Sequence, residues 1–498
     1  MAVRSNPSPR GDRPSPSLRF RDRSVFEGVA RREVDGLDLV AHSVAVLVPS
    51  LTALGSGLAF PALVGPGFWV STLLGYGVVG LLALTFNQFS TRFKSAGTLY
   101  TFVAKGLGPL PALAVAGGLI VGYSAIIGFG LSDAAGRTED ALTSSGLDQF
   151  AGVGREAVLL VLATGMCLFA IGRGIHWSTR AALVAEIASF VVLGVVLTVW
   201  VARYGVPGPQ VFTLEGASLT RILVGAGSIV TLTLAFESSA SLALESKRPL
   251  LEVPFALRSS LALAAVLFAL ANLVASMRPP DAPSVWTWRW FAPGAERSLV
   301  DGMVLVVLAW SLVALAMCVW CALARLLFSL AREGVLPGAL GRVDGRGVPM
   351  TAAWAVTPLA LVPPVVSIVT GPGAGAFAWD LKVSSGVVIC LAYTLAAASV
   401  IRFLWILDEV STVPVIAAAV AGTATAAVAV RELVIELDHG VHTAVILLVA
   451  SAMSGRVMHL RTRRREDREG RYVGMHEEAL ASMVLLPPEG RSSAHGEG

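Results

Sequence analysis

The stretch LTLAFESSASLALESKRP, residues 232–249, decides how this chain is read. It is apolar enough to enter a bilayer, yet it carries two acids, Glu237 and Glu245, and only the second has basic neighbours, Lys247 and Arg248. An acid in a membrane interior is costly and marks a functional site by default. With the span entered near Ile222, Glu237 lies roughly 22 Å along it and Glu245 about 12 Å further, at a helical rise of ~1.5 Å per residue. Glu245 then reads as an interfacial or gate-region acid. Glu237 is the acid that needs a cation: a proton, a ligand ammonium or a group from a neighbouring helix.

Around that stretch lie 498 residues, 55% of them apolar and 14% charged, with a mean hydropathy of +0.71. Soluble proteins carry about 25% charged residues. A hydrocarbon core takes roughly 20 apolar residues per helix. Runs of that kind recur at 39–62, 68–90, 111–132, 156–172, 180–202, 222–244, 254–276, 300–330, 350–370, 377–404, 412–430 and 440–458. They are continuous and rich in Leu, Ala, Val and Gly, unlike the roughly ten-residue alternation of barrel strands. The chain is therefore expected to be an all-α membrane protein of about twelve transmembrane helices, with the lipid bilayer as its surroundings.

Residues 1–36 include the proline-rich NPSPRGDRPSPSLRFRDR (6–23) and lack the apolar core of a cleavable signal peptide, so they read as a disordered tail. Basic residues gather in that tail, at Arg92, Lys94 and Lys105, at Arg173 and Arg180, and at Lys247, Arg248 and Arg258. They gather again at Arg332, Arg342 and Arg346 and in the RTRRRE run at 461–466. This bias places both termini in the cytoplasm of a multi-pass plasma (inner) membrane protein. Loops opposite, such as SDAAGRTEDALTSSGLDQF (132–150), are mixed or acidic. The RTRRRE run is a topology signal that can also touch anionic lipid. With its basic residues confined to tails and alternate loops, the net charge of +4 does not point to nucleic acid. Cys167, Cys318, Cys321 and Cys390 all lie in apolar spans, as small buried hydrophobes do, and one CxxC without histidines is no metal site. No HExxH, GxSxG or histidine cluster points to an enzyme or a cofactor.

The first span, LDLVAHSVAVLVPSLTALGSGLAF (37–60), holds Pro49 near its middle, with Gly55-Ser56-Gly57 beyond it. Proline removes a donor and clashes with the carbonyl four residues earlier, so the helix is expected to kink or unwind. Lipid tolerates the freed groups only where they face protein or a cavity. In a five-plus-five arrangement spans one and six hold equivalent places, and paired interruptions there point to a transport site. The half-helix after Pro49 offers N–H groups to a carboxylate, while unwound carbonyls suit an ammonium. Together they favour a zwitterion.

Three segments carry a resemblance to a known family. CALARLLFSLAREGVLPGALGRVDGRGVP (321–349) resembles the hallmark of the amino acid–polyamine–organocation (APC) superfamily permeases, a helix ending in an Arg-acid-Gly-x-x-Pro turn with a second proline before the next span. FNQFSTRFKSAGTLYTFVAKGLGP (86–109) is similar to that family's second loop, and AFESSASLALESKRPLLEVP (235–254) resembles its Phe-Glu … Glu-x-x-x-Pro stretch. The resemblance implies an inverted five-plus-five repeat (LeuT-like) with discontinuous helices 1 and 6. It implies a ten-helix transport core over 37–404, two peripheral helices over 405–460 and a cytoplasmic tail over 461–498. The implied activity is secondary active transport, by alternating access, of an amino acid or related small amine. Its coupling ion would be H+ or Na+, as in a symporter or antiporter. On the family pattern the substrate is lined by Val48, Pro49, Ser50, Leu51 and Thr52 and by Ala235, Phe236, Glu237, Ser238 and Ser239, with Phe236 as an aromatic gate. Tyr123 on span three borders the same site. Glu237, Glu186 and Glu245 are the candidates for proton or ion coupling.

Two departures bear on specificity. Many members carry Gly-small-Gly at the first break, where this chain has Pro49-Ser50-Leu51, so carboxylate binding is altered or the substrate lacks a carboxylate. Some proton-coupled members carry a lysine on span five where Ser189 stands here, so that mechanism does not carry over. Among the other charges, Glu186 near the cytoplasmic end of span five is expected to snorkel to water. Asp380 and Lys382 read as a solvated helix end, and His42 as an interfacial histidine. Gly118 and Gly122 form a GxxxG expected to pack helices. Two other readings stay open: a transporter or exchanger of a polyamine or ethanolamine-type amine held by Glu237, and a non-transporting membrane sensor or light partner subunit.

Overall fold

A computed structural model describes residues 33–95, 97–144, 153–277, 299–370, 378–438, 442–469, 473–474 and 477–478. Expectations placed on residues 1–32 and 479–498 lie outside these described residues. Among the described residues, twelve helices are long and apolar enough to cross a membrane. Spans one to six are Gly36–Val64, Phe68–Ser90, Pro109–Thr143, Gly154–Gly172, Ile175–Tyr204 and Leu219–Leu242. Spans seven to twelve are Pro249–Ala275, Asp301–Arg332, Met350–Val369, Asp380–Ile406, Thr412–Asp438 and Thr443–Arg463. Helices meet the demand that backbone polar groups be satisfied within the segment where no water is present. A shorter helix, Leu99–Leu107, connects spans two and three.

Spans one, three and eight form the centre, with 83%, 89% and 78% of their apolar windows buried, whereas span twelve has 22% and faces outward. Small residues set the closest crossings. A Cβ on Gly106 would meet the Ser399 carbonyl oxygen at 2.2 Å, so Leu99–Leu107 lies backbone against backbone on span ten. One on Gly122 would meet Ile389 at 2.7 Å, so the GxxxG seats span three on span ten. All four cysteines are free and buried.

Spans three, eleven and twelve outrun their expected ends, the last reaching Arg463 rather than 458. The segment from Ser132, read as a loop, continues span three through Ser144. Its charges are paired rather than solvated: Arg137 bonds Asp133 one turn back at 2.9 Å, and Arg155 of span four bonds Glu139 at 3.0 Å. Span eleven runs to Asp438 rather than 430 because Arg431 pairs with Glu432. Glu436 accepts from the Ser384 hydroxyl at 2.7 Å and the Ala444 N–H at 2.9 Å. Charge marks the end of a span only when water is its partner.

Residues 33–36, assigned to the tail, are tied to the loop after span six. Glu33 and Val34 donate their N–H groups to the Glu245 carbonyl at 3.0 and 3.1 Å, and Lys247 donates back to Val34 at 3.0 Å. On the same face Phe93–Lys94 pairs antiparallel with Glu477–Glu478. The Gly474 N–H there reaches both the Tyr100 hydroxyl and Glu333, at 3.2 and 3.1 Å.

Candidate functional site

Span one is built from pieces. Its first α-helix, Gly36–Leu47, stops at Val48, whose φ of 39° and ψ of 55° are left-handed, and helix resumes at Pro49. Pro49 explains the stop, since proline bars the preceding residue from the right-handed helical region. It also suits the first position of the new helix, where no N–H is needed. A β-branched residue with positive φ is strained. Thr52 secures the corner, donating its N–H to Val48 at 2.9 Å and its hydroxyl to Leu47 at 3.2 Å. The first turn of the new helix thus presents the Ser50 and Leu51 amides as its free donors. A wider π-turn, Ala53–Gly57, follows before the helix closes at Val64.

In span six an α-helix covers Leu219–Leu232, Ala235 takes φ 65°, and a 3-10 helix covers Phe236–Leu242. The Ala235 N–H donates to the Tyr393 hydroxyl at 2.9 Å. Ser43 of span one donates to the Phe236 carbonyl at 3.4 Å, and Ser238 lies 3.4 Å from His42 Nε2. His42 is fully enclosed, a correction to its interfacial reading, because the piece of helix before Val48 sits against the 3-10 segment.

Glu237 is buried at the start of that segment, and its partners are two phenols. Tyr123 of span three donates to Oε1 at 2.5 Å, and Tyr393 of span ten donates to Oε2. Of the three partners expected for this acid, a protein group is the one in place, and it is neutral. Tyr393 was missed in the sequence, where the signal was a lone tyrosine thirteen residues into span ten, counted from Asp380. Its hydroxyl does double service, accepting from Ala235 while donating to Glu237. Phe236 stacks on Phe86 with ring centroids 5.8 Å apart and meets Tyr393 edge-on at 5.9 Å. An aromatic layer from spans two, six and ten thus lies beside the acid.

The other two acids stand apart from Glu237. Glu245 is buried in a two-pronged ion pair with Arg325 of span eight, Nε to Oε1 at 2.6 Å and Nη2 to Oε2 at 2.9 Å. Its partner is therefore neither Lys247, which bonds Asp35 at 2.5 Å, nor Arg248. Glu186 is 1% exposed, so it does not snorkel. Ser311 of span eight donates to its Oε1, and the Ser50 hydroxyl of span one lies against the same carboxylate. The hydroxyls of Ser189, Ser239 and Ser241 are buried without partners among the described residues. Lys382 is buried rather than solvated, its ammonium 5.7 Å from the centroid of the Phe129 ring.

A bundle of twelve membrane-crossing helices with a buried carboxylate at its centre is the architecture of a solute transporter. Residues 41–450 match the family model described as Amino acid permease, and the chain belongs to that family. The Branched-chain amino acid permease BcaP of Lactococcus lactis subsp. cremoris (strain MG1363) is 23% identical over 349 residues, which cover 65% of this chain and 74% of the relative. Family and fold make the chain a multi-pass secondary transporter that moves a small polar solute across a membrane. The family assignment also sets it among transporters rather than enzymes.

Proposed function

We propose that the chain moves an amino acid by alternating access, binding it where spans one and six are interrupted. The observation that carries this reading is the match of Val48 and Ala235, two non-glycine residues in left-handed conformation within the interiors of spans one and six. This pairing supports an inverted repeat of spans one to five and six to ten, with spans eleven and twelve at its periphery and both termini cytoplasmic. The Ser50 and Leu51 amides receive the solute carboxylate. Glu237, fixed by two phenols, and the carbonyls around Ala235 receive its ammonium, and Phe236 closes over it.

Glu186 is the coupling group in this reading. Its carboxylate, beside the Ser50 hydroxyl, and the unpartnered Ser189 hydroxyl one turn on provide oxygen ligands for a proton or a sodium ion. The pieces of span one pack against span five at this level, so filling the site biases the helix that carries the break. Pro49 favours a second reading, in which the solute is an amine without a carboxylate, because one donor is lost from the turn that would bind it.

The test is thermal stabilisation of the purified protein across neutral amino acids and carboxylate-free amines, since a ligand of the folded state raises stability by mass action. Stabilisation by amino acids, lost in Glu237→Gln while the variant stays membrane-inserted, is the expected result. Stabilisation by amines alone would replace the first reading with the second.

A further inference from the structure

A second built site lies where spans one and eleven end and spans six and ten begin. A cavity of about 410 Å³ opens between spans one, six, ten and eleven. Its span-six wall is one helical stripe running from Arg221 to Leu232, and Leu63 and Val224 at its mouth are 66% and 37% exposed. Exposed apolar side chains on a membrane span suit hydrocarbon rather than water, and Glu237 is not among the residues that line the cavity.

Its polar end is basic. Arg221, Lys382 and Arg431 line it against one acid, Glu432. Nearby Glu436 is already taken by Ser384 and Ala444. Arg431 spends Nη1 on Glu432, and its buried Nε–H has no acceptor. Lys382 has neither an ion pair nor a hydrogen bond to its ammonium among the described residues, only the Phe129 ring. A buried cation without an acceptor is costly. These three cations also stand on the face that the charge bias of the loops keeps poor in Arg and Lys. All three sit near the ends of their helices: Lys382 is roughly 3 Å below the start of span ten and Arg431 about 10 Å below the end of span eleven, at ~1.5 Å per residue. That is the depth at which a headgroup meets hydrocarbon.

We propose that this cavity binds an anionic phospholipid of the outer leaflet, its phosphate between Lys382, Arg431 and Arg221 and an acyl chain along the span-six stripe. Phosphate oxygens accept from a guanidinium edge and an ammonium together, which is the donor set left open here. The lipid would bridge spans one and six, which carry the proposed breaks, to spans ten and eleven. Its assignment to the outer leaflet rests on the orientation proposed above; the binding itself does not.

The test counts phosphatidylglycerol and phosphatidylcholine retained by the full-length protein in native mass spectra after matched titrations in detergent. A preference for phosphatidylglycerol is expected, falling roughly tenfold in Lys382→Met and in Arg221→Gln, the loss of about one charge-assisted hydrogen bond. Arg221 is exposed, so its replacement leaves the fold intact. The RTRRRE run is the same in every variant and cancels in the comparison. Equal retention of the two lipids, or a preference unchanged in both variants, overturns the proposal. So does displacement of phosphatidylglycerol by leucine or inorganic phosphate at equal concentration, which would make this a site for a small solute rather than a lipid. Lipid counting needs no transport, so its outcome is independent of the substrate reading.

Discussion

Replacing Tyr393 by Phe should harm this protein more than replacing Tyr123 by Phe, although both phenols bond the same carboxylate. Tyr123→Phe removes one donor to Glu237, worth about 2 kcal/mol for a hydrogen bond to a charged group. Tyr393→Phe removes an equivalent donor and also strands the Ala235 N–H, a buried group whose unmet desolvation adds about 2 kcal/mol. The difference of ~2 kcal/mol corresponds to roughly thirtyfold. It falls on the residue whose left-handed conformation sets the turn before Phe236, so substrate turnover should register it. The assay is initial uptake into proteoliposomes for the two single variants, together with solute-free thermal stability for each combined with Glu237→Gln. Tyr393→Phe should lose roughly thirtyfold more uptake than Tyr123→Phe, and it should still lower stability in the Glu237→Gln background, because the Ala235 bond does not involve the acid. Equal uptake losses, or a Tyr393→Phe stability effect that vanishes entirely once Glu237 is Gln, would refute the two-way role of the hydroxyl.

Arg325→Met should lower thermal stability in detergent by the equivalent of about 3–5 kcal/mol by leaving Glu245 buried and unpaired, and the double replacement with Glu245→Leu should recover most of it. Gly106→Ala, which drives a Cβ to 2.2 Å from the Ser399 carbonyl oxygen, should reduce the yield of monodisperse protein far more than Gly80→Ala, whose Cβ meets nothing within 4 Å. Burial beside Glu333 holds the Tyr100 phenol well above its ordinary value near 10, so the unfolded chain releases that proton first as pH rises. Stability should therefore fall through about pH 10 and above by a component that Tyr100→Phe abolishes, measured as the difference between the two melting curves against pH.

The fold was legible because it rests on local quantities. Length and apolarity of a run are read directly, and Pro49 marks the break in span one, whereas Pro254, Pro358, Pro363 and Pro364 lie inside unbroken helices, so proline alone does not place a break. The same rule misplaced the ends of spans three and eleven, since Asp133, Arg137, Arg431 and Glu432 look like loop residues until their partners are known. Asp133 and Arg137 pair one turn apart, and Arg431 and Glu432 pair as neighbours in the chain, so the helix continues through them.

The site was half legible for a related reason. Burial of an acid can be inferred from the run around it, but its partner is fixed by which helices touch, and contacts such as Tyr123–Glu237 and Tyr393–Glu237 span 114 and 156 residues of sequence. Glu245 shows how adjacency misleads: Lys247 is two residues away and bonds elsewhere, while Arg325 is 80 residues distant and takes both carboxylate oxygens. The consequence for mechanism is a division of labour among acids that look alike in sequence. Glu245 is fully paired and holds spans six and eight together. Glu237 is held by two neutral phenols, which is why the proposed reading gives it the solute ammonium. Glu186 is met only by hydroxyls, which is why the same reading gives it the coupling ion.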